Sequence, residues 1–190
     1  YVINGAKCWT TTAQVSDKIM LLARTDERDD KNPAGGLSMF YTDLDRRAVD
    51  IRKIEKMGRH AVDTNELFIT DLEVPPEDLV GEEGMGFRYI IDSLNPERIL
   101  VAIEAIGIAT SALERAVEYA KERVVFERPI GMNQSIQHPF AQSWMEPEGA
   151  WHATLRAAAL YDAGQPCGAE ATMSKYLGAE AGFKACERAV

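Results

Sequence analysis

The sequence predicts a segregated α+β architecture, an antiparallel β-barrel-like domain over about residues 1–82 followed by an all-α helical bundle over 83–190. Three observations predict it. Short apolar runs alternate with Gly, Pro, Asn and Asp clusters through the first part of the chain. The glycine-rich stretch Gly81-Glu82-Glu83-Gly84-Met85-Gly86 then marks a change of composition. Beyond it the apolar residues fall at helical spacing, and the last third is rich in alanine.

Taken in order, Tyr1 to Ile3, Asn4-Gly5 and Ala6 to Thr12 read as strand, tight turn and strand, because Asn-Gly tolerates the positive φ of a two-residue hairpin. Ile19 to Thr25 is a second apolar run, short enough for a buried strand. Residues 26–36, with Asn32-Pro33 and Gly35-Gly36, form a loop. Leu37 to Thr42 is a third strand, and Ile51 to Ile54 a fourth after the turn at Asp45 to Asp50. Glu66 to Thr70 and Leu72 to Val74 read as two short strands before Pro75-Pro76. The glycine-rich stretch reads as a hinge. A helical period begins at Phe87, and Asn95-Pro96 interrupts it. Ile99, Ile103, Ile106 and Thr110 then repeat at i, i+4, i+7 and i+11, so a helix extends to about Arg123. Gln134 to Met145 is a second helix, and Pro147 and Gly149 separate it from Trp151 to Tyr161. A proline inside a helix costs roughly 3 kcal/mol, which predicts a kink there. Ala169 to Ala189 is strongly helical.

Composition limits the functions available. The 190 residues are 46% hydrophobic and 27% charged with a net charge of −9. That is a globular profile with no basic stripe, so nucleic-acid binding has no electrostatic support. Cys8, Cys167 and Cys186 are scattered and lack metal or disulfide spacing, and His60, His138 and His152 lack ligand spacing, so no metal site is expected. A reducing compartment suits the cysteines. No run is long and apolar enough for a membrane span, and no stretch reads as a signal-like n-region and apolar h-region. The chain opens in what reads as mid-strand and closes in mid-helix, as a piece of a longer protein would.

Three groups of residues carry candidate chemistry, and each has a structural reading beside it. At Asn95-Pro96-Glu97-Arg98 a carboxylate and a guanidinium sit side by side at the mouth of an apolar run. Equally, Asn95 suits an N-cap, Pro96 the first helical position and Glu97 the positive end of the helix dipole. Trp9-Thr10-Thr11 offers one wall and hydroxyl donors to a flat aromatic ligand, or is simply strand. Arg123, near Phe126 and a turn, can grip a phosphate, or complement a helix C-terminus. Gln134 and Gln137 follow on the next helix.

Together these motifs resemble the acyl-CoA dehydrogenase family over nearly the whole chain. Asn4-Gly5-Ala6-Lys7-Cys8-Trp9-Thr10-Thr11 is similar to the opening of that family's middle domain. Glu66 to Pro75 and Leu79 to Phe87 resemble its most recognisable run, and Arg123-x-x-Phe126, Pro129-Ile130 and Gln134-x-x-Gln137 occur in its order and spacing. The resemblance implies a helical domain preceding Tyr1 and a closing segment following Val190. It implies FAD as cofactor, an acyl-CoA substrate oxidised between its α and β carbons to the trans-2-enoyl-CoA, as in fatty-acid β-oxidation, and an electron-transfer flavoprotein as acceptor. It also implies a homotetramer or homodimer, cytoplasmic in a bacterium or in the mitochondrial matrix of a eukaryote. A non-catalytic relative on the same scaffold and an acyl-CoA oxidase are the alternatives. The isolated piece is expected to bind FAD weakly and to show little activity.

Roles carry over by position. Trp9, Thr10 and Thr11 match the strand against the flavin. Arg123 and Phe126, with Gln134 beside them, match residues that hold the FAD of a neighbouring subunit. Asn95 and Arg98 match acyl-CoA contacts, and Arg88 another substrate-lining position. Glu97 matches the catalytic glutamate as placed in isovaleryl-CoA and long-chain acyl-CoA dehydrogenases. An α-C–H is a weak acid, so such a base is expected in a dry pocket that raises its pKa. Glu127 departs from the family pattern, in which Gly follows the phenylalanine.

Overall fold

Residues 1–190 are described by a computed structural model, and the chain divides into two compact units, Tyr1–Ile91 and Asp92–Val190. In the first, apolar residues alternating along each run make strands. These are β1 (Val2–Thr11), β2 (Lys18–Arg24), β3 (Leu37–Asp43), β4 (Val49–Lys53), β5 (Thr64–Glu73) and the short β6 (Leu79–Val80). The pairings between these strands are all antiparallel. They form two three-stranded sheets, ordered β1-β5-β4 and β2-β3-β6, rather than one closed barrel. The inward faces bury Leu21, Phe40, Val49, Leu67 and Leu72 in a single cluster. A side chain rather than a ladder ties β1 to β2: Lys7 Nζ donates to Leu22 O at 2.6 Å, and burial pushes the pKa of this ammonium down.

The strand–turn–strand expected at Asn4-Gly5 is one continuous strand. Ile3 pairs with Leu72 and Gly5 with Ile69, so Asn4 faces two residues of β5 in a bulge. Asp71 takes the positive φ of 50°. Asn4 fixes it there, since Asn4 Oδ1 accepts from Asp71 N–H at 2.8 Å and Asn4 Nδ2 donates to Asp71 Oδ1 at 3.0 Å. The same bulge explains why Glu66 to Thr70 and Leu72-Glu73 belong to one strand, β5, which ends just before Val74.

The glycine-rich stretch is docked onto β3 rather than hinging freely. Gly84 N–H donates to the buried Ser38 Oγ at 2.8 Å, and that hydroxyl also meets Thr25 Oγ1 at 2.8 Å. A Cβ on Gly86 would lie 2.5 Å from Ser38 C and Met39 N, so only glycine permits this approach.

The second unit holds most of α1 (Gly86–Glu122), a hairpin of β7 (Val124–Val125) and β8 (Arg128–Pro129), then α2 (Gln134–Asp162) and α3 (Gly168–Ala189). The α1 face that carries Ile99, Ala102, Ile106, Ala109 and Leu113 is buried, and Ile99 meets Ala157 of α2 and Ala171 of α3. Two expected breaks are absent. Helix α1 continues through Pro96, and α2 through Pro139 and Pro147. Tertiary packing outweighs the lost hydrogen bonds, as it commonly does in folded helices. Pro147 is itself buried, and Arg188 of α3 grips the same stretch of α2 at Ser143 Oγ (3.2 Å) and Glu146 Oε2 (3.3 Å). The buried hydroxyls of Thr154 and Ser174 donate to Ala150 O and Ala171 O in their own helices, and no buried side-chain polar atom lacks a partner.

Candidate functional site

Trp9, Thr10 and Thr11 lie at the end of β1, an edge strand. Lys7 pairs with Leu67 and Thr10 with Asn65, so Cys8 and Trp9 together face Glu66 across a second bulge. Trp9 sits there at φ 65° with 70% of its surface exposed. A bulky residue at positive φ is a genuine outlier, and such strain gathers at ligand sites. Thr12, at φ 60°, closes the segment. Its N–H donates to Asp63 O at 3.2 Å. By antiparallel alternation this turns the N–H of Thr11 off the free edge of the sheet. Behind the strand, Asn65 is fully buried. Its Nδ2 donates to Thr10 O at 3.1 Å and to Asp63 Oδ2, and its Oδ1 accepts from Gln14 Nε2 at 2.8 Å. The Asn65 N–H holds the Asp63 carboxyl below the usual aspartate pKa, helped by the Gln14 N–H.

Asn95, Glu97 and Arg98 share one turn of α1. Asn95 is not a cap. Its Oδ1, which a cap would offer to the Arg98 backbone, accepts instead from Arg98 Nη1 at 3.2 Å. Glu97 is exposed and makes no hydrogen bond or ion pair. The dry setting expected for it is not formed within the second unit. The reason is rotational: Glu97 lies about 200° around the helix from Ile99, the start of the buried face. Arg88 is exposed on the first turn of α1.

Arg123 follows the last residue of α1, exposed and with its guanidinium unpaired. The hairpin beyond it turns through Phe126 (φ 52°) and Glu127 (φ 65°), the signature of a type I′ turn. Phe126 is thereby held 93% exposed at the tip. Gln134 begins α2, also exposed. Gln137 is occupied structurally, donating to Gly131 O at 2.8 Å. Along α1, the 26 residues from Glu97 to Arg123 correspond to roughly 40 Å. The two groups on the second unit are therefore far apart.

A cleft of about 400 Å³ between α1 and α2 is lined by Thr110, Ser111, Trp144 and Trp151. Its size suits a small molecule, but none of the catalytic, cofactor or substrate candidates read from the sequence lines it. Conversely, Asn65, Gln14 and Asp63 escaped the sequence reading. The available signal was Asp63-Thr64-Asn65 itself, since Asp and Asn are depleted in strands.

Residues 1–72 match the acyl-CoA dehydrogenase middle domain and residues 84–190 the acyl-CoA dehydrogenase C-terminal domain. An acyl-CoA dehydrogenase of Bacillus subtilis (strain 168) is 38% identical over 191 residues, covering 100% of this chain and 50% of that protein. The butyryl-CoA dehydrogenase structure from Megasphaera elsdenii superposes with a TM-score of 0.89 at 33% identity, over 100% of this chain and 49% of that one. A structure of PigA with FAD and proline superposes with a TM-score of 0.90 at 26% identity, over 100% and 49%. The chain spans about half the length of the curated relatives it matches. No helix is long and apolar enough to cross a membrane. With both of its parts matched in order, the chain belongs to the acyl-CoA dehydrogenase family.

Proposed function

We propose that the intact protein is an FAD-dependent acyl-CoA dehydrogenase that forms a trans-2-enoyl-CoA, with Glu97 as the base. The observation that carries this reading is the unpaired carboxylate of Glu97 on a turn where its neighbours Asn95 and Arg98 already satisfy one another. A base must be free to take a proton, and a fixed amide–guanidinium pair beside it can orient the acyl-CoA. Glu97 accepts the α-proton. Asn95 and Arg98 hold the substrate on the same turn, and Arg88 offers a further cationic contact toward the acyl-CoA.

The chain's own residues fit the cofactor. Trp9 presents an exposed indole wall, and Thr11 presents an outward N–H and a hydroxyl to ring heteroatoms. Thr10 continues the strand between them. Bound FAD would supply the acceptor for the hydride that leaves the β-carbon. The distance along α1 supports a division of labour between copies. Arg123 offers its guanidinium to a phosphate, Phe126 its ring and Gln134 its amide, toward the FAD of a neighbouring subunit. A homodimer or homotetramer follows, with an electron-transfer flavoprotein as electron acceptor.

Anaerobic mixing of the full-length holoprotein with a panel of acyl-CoAs tests this. Bleaching of the flavin band with formation of enoyl-CoA is expected. A colourless protein that cannot be reconstituted with FAD would point to a non-catalytic relative, and stoichiometric hydrogen peroxide in air to an oxidase.

A further inference from the structure

We propose that Asn65 is a positioning residue: its buried amide clamps the Thr10 carbonyl so that the Thr11 N–H is presented off the sheet edge to a flavin ring. The inference rests on the flavin reading above and assigns a role on β5, away from the residues that would touch the cofactor.

An asparagine at 0% exposure on the inward face of β5, one residue from its start, needs a reason. Its neighbours on the same face, Leu67 and Ile69, are ordinary core residues. Burying an amide is unfavourable unless its hydrogen bonds are made. Here they are made with one fixed orientation: Oδ1 accepts from Gln14, and Nδ2 donates to Thr10 O and to Asp63. That orientation follows from the partners: the Thr10 carbonyl and the Asp63 carboxylate both need a donor, which leaves Oδ1 to accept from the Gln14 amide.

The Thr10 carbonyl and the Thr11 N–H belong to a single planar peptide, so fixing one direction fixes the other. The segment needs such a hold. It lies between two residues at positive φ, Trp9 and Thr12, and follows a bulge where the ladder is interrupted. On the far side, Arg46 Nη2 donates to the carbonyls of Ala13, Gln14 and Ser16 at 3.0–3.3 Å. This anchors the turn that carries Gln14. A chain of polar contacts from Arg46 through Gln14 and Asn65 therefore ends on the peptide that faces the proposed flavin. The ionised Asp63 is its remaining acceptor.

The test uses the full-length protein with two substitutions. Asn65→Leu keeps the approximate volume and removes the amide. Gln14→Leu is at an exposed position and removes only the amide's partner, so it serves if Asn65→Leu does not fold. Three readouts are taken: hydrogen exchange of the Thr10–Thr12 amides in the apoprotein, FAD affinity by fluorescence titration, and the flavin absorption maxima and midpoint potential. Expected are faster exchange confined to this segment, an FAD Kd raised about tenfold in Asn65→Leu and less in Gln14→Leu, and a displaced flavin spectrum. Wild-type protein that binds FAD, with folded variants that match it in exchange, Kd and spectrum, overturns the inference alone. Wild-type protein that takes no FAD overturns the functional reading and the flavin role of Asn65 together.

Discussion

A Cβ placed on Gly182 would stand 2.9 Å from the carbonyl oxygen of Ala105, so α3 crosses α1 backbone against backbone. Gly178 makes the same approach one turn earlier, with Ala102 O at 3.0 Å. The atoms met at both positions belong to the backbone and to short alanine side chains, which cannot swing aside. Gly182→Ala should therefore destabilise the protein by about 1–3 kcal/mol through overpacking, although alanine favours helix. Urea unfolding of the full-length protein measures it. A gain in stability would show that the crossing relaxes easily.

Glu97→Gln should leave FAD affinity unchanged and slow flavin reduction by acyl-CoA at least about 100-fold, the usual worth of a positioned base. The amide keeps the shape and loses the proton acceptor. Anaerobic stopped-flow measurement separates the two properties. Reduction at near wild-type rate would place the base elsewhere.

Glu127→Gly should stabilise the protein by about 1 kcal/mol, because an L-residue at φ 65° carries left-handed strain that glycine does not. Denaturant titration reports this, and FAD affinity should be retained. Phe126→Ala, by contrast, should weaken FAD binding while leaving stability little changed, since its ring is 93% exposed.

The hydrogen bonds on Asp63 make the end of β1 acid-sensitive. Its folded pKa is lowered, so the stability it contributes is fully present above the ordinary aspartate value of about 3.9 and is lost as pH falls through the folded value. Asp63→Asn should shrink the acid limb of a stability–pH profile. The limb should not vanish, because Asp45, held down to about 2 by N–H bonds from Arg47, titrates on the same side. An unchanged limb would mean that Asp63 is equally ionisable in the unfolded chain.

Much of the architecture was legible. The strands at Lys18–Arg24 and Leu37–Asp43 and the helix at Gly168–Ala189 lie close to where short apolar runs between turn signals and alanine content place them. What failed was punctuation. Asn4-Gly5 reads as a hairpin and Asn95-Pro96 as a helix start, since both dipeptides have those local preferences. In the fold, Asp71 gives Asn4 a partner inside a bulge, and Arg98 takes the Asn95 oxygen that a cap would use. Pro147 is likewise carried through α2 by its own burial. In each case a contact with other residues outweighs a local preference of a few kcal/mol or less.

By itself the sequence determined the segregation of β from α, the residues that carry the family pattern, and the position of Glu97. These depend on periodicity and residue identity, which are local. Only the tertiary structure decided that Trp9 is strained and exposed at a bulge, that Glu97 stands apart from the buried face of α1, and that Asn65 reaches across from β5 to hold Thr10. Those depend on which strand pairs with which and in what register. A register is chosen by the burial of whole faces, and no single residue of either strand encodes it.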